Sequence, residues 1–138
     1  MAKFVLTDAD VVIDGNNLSD HVESLTINHG VETPESTSMG DTTRRRLVGL
    51  LDWSIDITFR QDFTDASNTV DEILFPLVGA AAFVIVIKPT SAAVGVNNPT
   101  FTGTCLLQTY NPLAGTVADT AAANATFVSD GTLVRATA

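Results

Sequence analysis

Four acids crowd the start of the chain, Asp8, Asp10, Asp14 and Asp20, with Gly15 directly after Asp14. Carboxylates at alternate positions leading into a glycine are how a calcium loop arranges its oxygen ligands, but here Val12 stands where a ligand is needed and no Glu closes the loop. His21 and His29 fall on one face of a strand-like stretch, roughly 26 Å apart at strand rise, too far to share a metal within one chain. Asp20 alternates to the face opposite His21, so the two make no catalytic pair. Asp52 and Asp56 do share a face, at roughly 13 Å, wider than either kind of glycosidase carboxylate pair. There is no G-x-S-x-G, no phosphate loop and no C-x-x-C. Cys105 is the single cysteine, and Leu106 and Leu107 beside it give the setting of a buried thiol. Asn17-Leu18-Ser19 and Asn124-Ala125-Thr126 match the glycosylation triplet, but Met1 to Leu6 lack the apolar core and cleavage site of a secretory leader, so the triplets are expected to be unused. These residues predict no enzyme, no metal site and no cofactor.

Charge narrows the partners. The chain has 138 residues, 16 Asp plus Glu and 7 Lys plus Arg, a formal net charge of −9. Fourteen of the acids lie in residues 1–72, so the first half carries the whole excess and the second is neutral. A pI near 4.3 excludes a protein that grips nucleic acid by displacing counterions from phosphates. The 45% apolar content and mean hydropathy of +0.24 exclude a disordered acidic chain. No run approaches the length of a membrane helix, so no membrane insertion is expected. The one cationic feature, Arg44-Arg45-Arg46, suits an electrostatic latch onto the acidic surface of a neighbouring copy.

The elements that carry these residues follow a period of two. In residues 51–61, Leu51, Trp53, Ile55, Ile57 and Phe59 alternate with Asp52, Ser54, Asp56, Thr58 and Arg60, a strand with one dry and one wet face. Residues 22–29 set Leu25 and Ile27 against Ser24, Thr26 and Asn28. Residues 100–110 set Phe101, Gly103, Cys105 and Leu107 against Thr100, Thr102, Thr104 and Gln108. Residues 122–129 set Ala123, Ala125 and Phe127 against Asn124 and Thr126. Phe83 to Ile87 lacks alternation and is expected to be covered on both sides. Val11 to Ile13 leads into Asp14-Gly15, a tight-turn signal, with Leu18 returning beyond it. One helix is expected after Asp65-Ala66-Ser67-Asn68, with Thr69 and Glu72 at capping-box spacing, Val70, Ile73, Leu74 and Leu77 on one side, and Pro76 near its end.

The pattern predicts a single domain over 1–138, mainly β: an antiparallel β-sandwich with one short flanking α-helix. The core is expected to hold Leu25, Ile27, Trp53, Ile55, Ile57, Phe59, Phe101, Leu107 and Phe127. Between the first two alternating strands lies a long polar loop at about 30–47, far beyond the two to five residues of an ordinary hairpin.

Four runs carry a family resemblance: Asn17 to Ile27 (NLSDHVESLTI), Thr37 to Thr42 (TSMGDT) ahead of the Trp53 strand, Lys88 to Val94 (KPTSAAV) with Asn98-Pro99, and Tyr110 to Gly115 (YNPLAG). In order and spacing the chain resembles the major tail tube proteins of long-tailed bacteriophages, especially those of actinobacterial hosts. The resemblance implies a structural virion protein, made in the host cytoplasm, whose hexameric rings stack into the tail tube that conducts the genome at ejection. It implies that each subunit gives two hairpins, four strands, to a continuous inner β-barrel. The wet faces then line the lumen: Ser24, Thr26 and Asn28; Asp52, Ser54, Asp56, Thr58 and Arg60; Thr100, Thr102, Thr104 and Gln108; Asn124 and Thr126. The long loop, with Glu32, Glu35, Met39, Asp41, Arg44, Arg45 and Arg46, becomes an inter-ring arm. Implied partners are further copies, a tape-measure protein, a tail terminator, a distal tail protein, and double-stranded DNA passing without specific binding. Six copies of four strands make a barrel of about 24, roughly 48 Å across the backbone, with room inside for a hydrated duplex. Two other classes share the small β-rich format. A carbohydrate-binding sandwich requires an exposed aromatic platform, and a capsid decoration or head-completion protein gives no reason for four polar-faced strands.

Overall fold

The computed structural model describes residues 3–64 and 69–138. Asp14 and Gly15 both take positive φ, 50° and 80°, the mirror-image turn whose twist matches the strands it joins. It connects β1 (Asp10–Ile13) to β2 (Asn16–Asn17), with Val12 opposite Asn17. Leu18 follows, fully buried, and one 3-10 turn (Ser19–His21) leads into β3 (Val22–Val31). β4 (Leu51–Arg60) returns antiparallel to β3. The helix α1 (Val70–Leu77) comes next, then β5 (Phe83–Lys88), β6 (Thr100–Ala114), β7 (Ala122–Ser129) and β8 (Val134–Ala136).

Thr69 is the helix N-cap, in extended conformation, with Asp71 and Glu72 in the first turn where the positive end of the helix dipole favours them. The expected capping box is not made, because the cap side chain forms no capping hydrogen bond. Its lead-in, residues 65–68, lies outside the described residues. Pro76 has no N–H to continue the ladder, and the helix stops one residue later. Val70, Ile73, Leu74 and Leu77 are buried, while Phe75 is 66% exposed.

All eight strands belong to one antiparallel sheet in the order β2-β1-β5-β6-β7-β4-β3, with β8 also on β6. The long strand β6 makes this a sandwich. Its first part, Thr100 to Cys105, pairs with β5 and β8; from Cys105 to Ala114 it pairs with β7. The sheet folds over at this change of partner, placing β2-β1-β5-β6-β8 against β6-β7-β4-β3. Trp53 of β4 lies over Gly103 of β6, and Phe83 of β5 meets Phe127 of β7 edge-to-face at 6.0 Å between ring centres. The interior between the layers is a single cluster that includes Trp53, Ile55, Ile57, Phe59, Leu107 and Phe127. Cys105 is buried in it, and loss of solvation pushes its thiol up to about 12.

Several expectations need correction. Phe83 to Ile87 alternates after all: Phe83, Ile85 and Ile87 are buried, but Val84 is 45% exposed, because the outer face of its layer is uncovered. Leu25 and Ile27 pack on the core but are only half-buried, and Phe101 is half-buried outside it. β3 is the last strand of the sheet, so among the described residues no further strand lies beyond it on that side. Leu51 has the parity of the dry face but lies beyond the core, 61% exposed. Thr100, expected on the wet face, is buried, and its hydroxyl has no partner among the described residues.

A Cβ built on Gly103 would stand 2.5 Å from Cζ2 and 2.6 Å from Cη2 of Trp53, whose indole Nε1 is fixed by donating to the Gly131 carbonyl at 2.8 Å. Gly103→Ala is therefore expected to displace the only tryptophan, costing about 1–3 kcal/mol. Thermal unfolding should fall by several degrees, with a red shift of the single-tryptophan emission. An unchanged melt with unchanged emission would contradict the close-packed contact.

Candidate functional site

The two hairpins lie side by side, since β4 pairs with β7 along its length, and β3-β4-β7-β6 form four contiguous antiparallel strands. Register sets their outward side chains in rows. Thr26, Asp56, Thr126 and Thr109 form one row; Ser24, Thr58, Asn124 and Asn111 form the next. A third runs from Asn28 and Ser54 to Val128 and Leu106, so the face is apolar at one corner.

Asp56 ties the middle of this face together. Its carboxylate, which can only accept, takes hydrogen bonds from Asn28 Nδ2 at 3.2 Å and from the Thr126 hydroxyl at 2.9 Å, one on each neighbouring strand. Asn28 Nδ2 also reaches the Ser54 hydroxyl at 3.4 Å, and the Thr58 hydroxyl donates to Asn124 at 3.1 Å. Asp52 accepts from the Ser129 hydroxyl at 3.1 Å. Arg60 stands 3.3 Å from Glu23, an exposed pair worth at most about 1 kcal/mol. The carboxylates are thus occupied by hydroxyls and amides of the same face, leaving a wetted, weakly acidic surface without a cluster of cations.

Bulges change which residues belong here. The β6–β7 register slips between Leu107 and Thr109, so Gln108 is the extra residue, and Thr109 and Asn111 take the ladder positions that simple alternation assigns to Gln108 and Tyr110. A second slip between Val22 and Ser24 frees Glu23 to meet Arg60. Thr102 and Thr104 are placed elsewhere, on the part of β6 in the other layer, opposite Val86 and Val84. A one-residue slip leaves no mark in a polar run, which is why Thr109, Asn111 and Glu23 escape the sequence reading.

The long loop is itself a hairpin. Beyond the last β3–β4 pair, Glu32 N donates to Leu50 O at 2.9 Å, Gly49 N to Glu32 O at 2.7 Å, Leu47 N to Pro34 O at 2.8 Å and Ser36 N to Arg45 O at 2.8 Å. At the tip, Asp41 N donates to Ser38 O across a turn in which Gly40 takes φ 93°. About nine residues per side at strand rise give the arm a reach of roughly 30 Å. Arg44 pairs with Glu35 at 2.7 Å and Arg45 with Asp41 at 3.4 Å, both within the arm. Within one chain, two of the three arginines are thus paired inside the arm, and among the described residues only Arg46 of the run makes no ion pair. Met39 at the tip and Val48 and Leu50 at the base are almost wholly exposed apolar residues.

The remaining polar features are internal. Asp10 accepts from Asn17 and Ser19 and lies 3.6 Å from Lys88; Asp8 accepts from the Ser91 amide and hydroxyl, which holds its carboxyl below the usual range. Asn98, buried, donates to the Ala92 and Ala93 carbonyls and accepts from Thr90 N, shaping the 88–98 loop. Trp53 is buried and Tyr110 half-buried, so neither offers a sugar platform. Tyr110 instead locks α1 to β6: its hydroxyl donates to Asp71 at 2.9 Å and accepts from Gln61 Nε2 at 3.0 Å.

No protein-family model and no curated protein matches the chain. Solved structures do. The fold is similar to a chain in the virion of a native gene transfer agent particle, with TM-score 0.69 and 16% identity over 93% of this chain and 95% of that one. It is similar to the tail of an empty gene transfer agent particle refined with C6 helical symmetry, with TM-score 0.61 and 17% identity over 83% and 81%. Against the SPP1 tail tube the TM-score is 0.73, at 10% identity over 95% of this chain and 77% of that one. The chain has the fold of tail tube proteins.

Burial and the Asp71 carboxylate favour the neutral phenol and push Tyr110 up to about 12 from the ordinary 10. A phenol whose pKa rises on folding contributes stability that is present below about pH 10 and is lost as the pH climbs through 12. Ultraviolet titration of this single tyrosine should show a midpoint near 12, moving towards 10 in denaturant. A midpoint at 10 in the folded chain would contradict the lock.

Proposed function

We propose that the chain is a tail tube subunit, polymerising as hexameric rings that stack into a hollow tube through which a phage genome leaves for the host. The observation that carries this reading is the four-stranded face with two open edges. β3 ends the sheet, and β6 between residues 108 and 114 has a strand on one side only. The strands alternate in direction, so the β3 edge of one copy meets the β6 edge of the next antiparallel, and the alternation continues around a ring. Six copies close a barrel of about 24 strands, wide enough for hydrated DNA. The C6 tail of the gene transfer agent particle supports six-fold closure.

In this reading Ser24, Thr26, Asn28, Asp52, Ser54, Asp56, Thr58, Arg60, Asn124 and Thr126 line the bore, joined by Thr109 and Asn111. The lining offers phosphates hydroxyls, amides and a slight excess of carboxylate, and the one guanidinium is held by Glu23. DNA meets little that could retain it, and passage needs no specific binding. The arm, with Glu32, Glu35, Met39, Asp41 and Arg44 to Arg46, reaches the adjacent ring. The role is structural, with no catalytic step. A tape-measure protein filling the bore, a terminator at one end and a distal tail protein at the other complete the assembly, which is built in the host cytoplasm and ends in the virion. The likeness to tubes of actinobacterial phages rests on the sequence runs.

Electron microscopy of the purified protein tests this reading: tubes with a stacked-ring repeat and six-fold cross-section are expected, and discrete monomers at every concentration would overturn it. Deleting residues 33–46 should leave a folded monomer that forms no tubes, whereas an undiminished tube yield would remove the arm from assembly. Replacing Asp52 and Asp56 with Lys should spare tubes yet lower infectivity by about tenfold or more, since cations in the bore attract phosphate. Normal infectivity would show that the lining charge does not matter.

A further inference from the structure

An open apolar groove lies beneath β3, and an exposed apolar stripe on α1 is placed to fill it. The groove runs beneath β3, where Ile27 and Phe101 are half-buried and Leu133 packs beside them, with His29 and Arg135 at its rim. The groove continues beside Leu25 and Ile87, where Phe4 and Leu6 join its lining, and its Ile27–Leu133 end lies nearest the Arg135 rim. Arg135 is exposed and makes no ion pair among the described residues.

The stripe lies on the opposite flank. Asp71 and Phe75 stand four residues apart on one side of α1, with Val78 just past its end, and both ends are tied to β6: Asp71 through the Tyr110 hydroxyl, Val78 through a bridge to Leu107. Phe75 between them is 66% exposed, Val78 48%, and Glu72 beside them is exposed with no ion pair among the described residues. The stripe therefore borders the open edge of β6, on the inner side of the sheet, as the groove borders the open edge of β3.

We infer that Phe75 of one copy seats in the Ile27–Phe101–Leu133 groove of the next, with Glu72 facing Arg135, so that side chains as well as strand edges close the ring. The inference rests on the ring reading above, because pairing β3 with the next copy's β6 edge brings groove and stripe together. The occupant is a second copy on grounds of charge: an acidic helix end meets a cationic rim, while the two surfaces on one chain lie on opposite flanks and cannot meet. A contact between two different patches propagates head to tail, as a ring requires.

The test is disulfide trapping. Cys105 is buried and stays out of the reaction. In assembled tubes, the Phe75→Cys, Leu133→Cys double variant should oxidise to a ladder of covalent oligomers ending at the hexamer, and a mixture of the two single variants should stop at dimers. Tubes of the double variant that give no ladder would overturn the contact while leaving the tube reading intact; a wild type that forms no tubes fails at the earlier step. Should the cysteines prevent assembly, charge exchange decides. Arg135→Glu, at an exposed site, should stay folded and raise the concentration needed for tubes by about tenfold, and Glu72→Arg in the same chain should restore it. Arg135→Glu tubes at the wild-type concentration, or no recovery in the double variant, would overturn the proposal.

Discussion

The constraint on which the rest depends is the open sheet edge. A strand with one neighbour leaves a row of backbone donors and acceptors without protein partners, and natural β proteins shorten, bulge or cover such rows. Here β3 spans Val22–Val31 at the end of the sheet, and 108–114 of β6 is uncovered on one side. Both edges belong to the same four-stranded layer and run in opposite directions. In the proposed ring a single kind of contact would satisfy both edges, and the subunit would be an unfinished sheet that assembly completes. Ile27, on β3 at the same edge, is only half-buried.

Polarity then divides the labour within that layer. Trp53, Ile55, Ile57 and Phe59 hold the wall to the other layer, while Asp56 and its partners present a hydroxyl- and amide-rich outer surface. A net charge of −9 speaks against a protein that holds nucleic acid, and in the proposed tube the same acidity would suit DNA passing without attachment. The strict alternation of β4 also fixes register, since a one-residue slip would exchange its buried apolar side chains for the polar ones.

Much of this was legible in the residues, and the failures are physical. β4 could be read almost residue by residue because its alternation is strict, and Asp14-Gly15 because few other residues accept two successive positive φ values. The helix was readable from its buried side and its proline, its capping box was not. What was hidden is whatever depends on partners far along the chain. Nothing local tells that β6 changes neighbours at Cys105, which separates Thr102 and Thr104 from the polar face, or that Gln108 is a bulge. The arm showed no apolar period because both sides of a projecting hairpin are wet, yet its backbone pairs as far as Ser36 and Arg45. The continuous apolar run at Phe83 to Ile87 suggested cover on both faces, and Val84 is bare.

The central claim is that assembly completes the sheet through β3 and the 108–114 edge of β6. Amide hydrogen exchange, compared between dispersed subunits and assembled tubes, measures this directly. The account predicts that the β3 amides not bonded to β4, and those on the open side of 108–114, exchange freely in the subunit and become protected in the tube. Tubes in which both edges exchange as fast as in the subunit would contradict it.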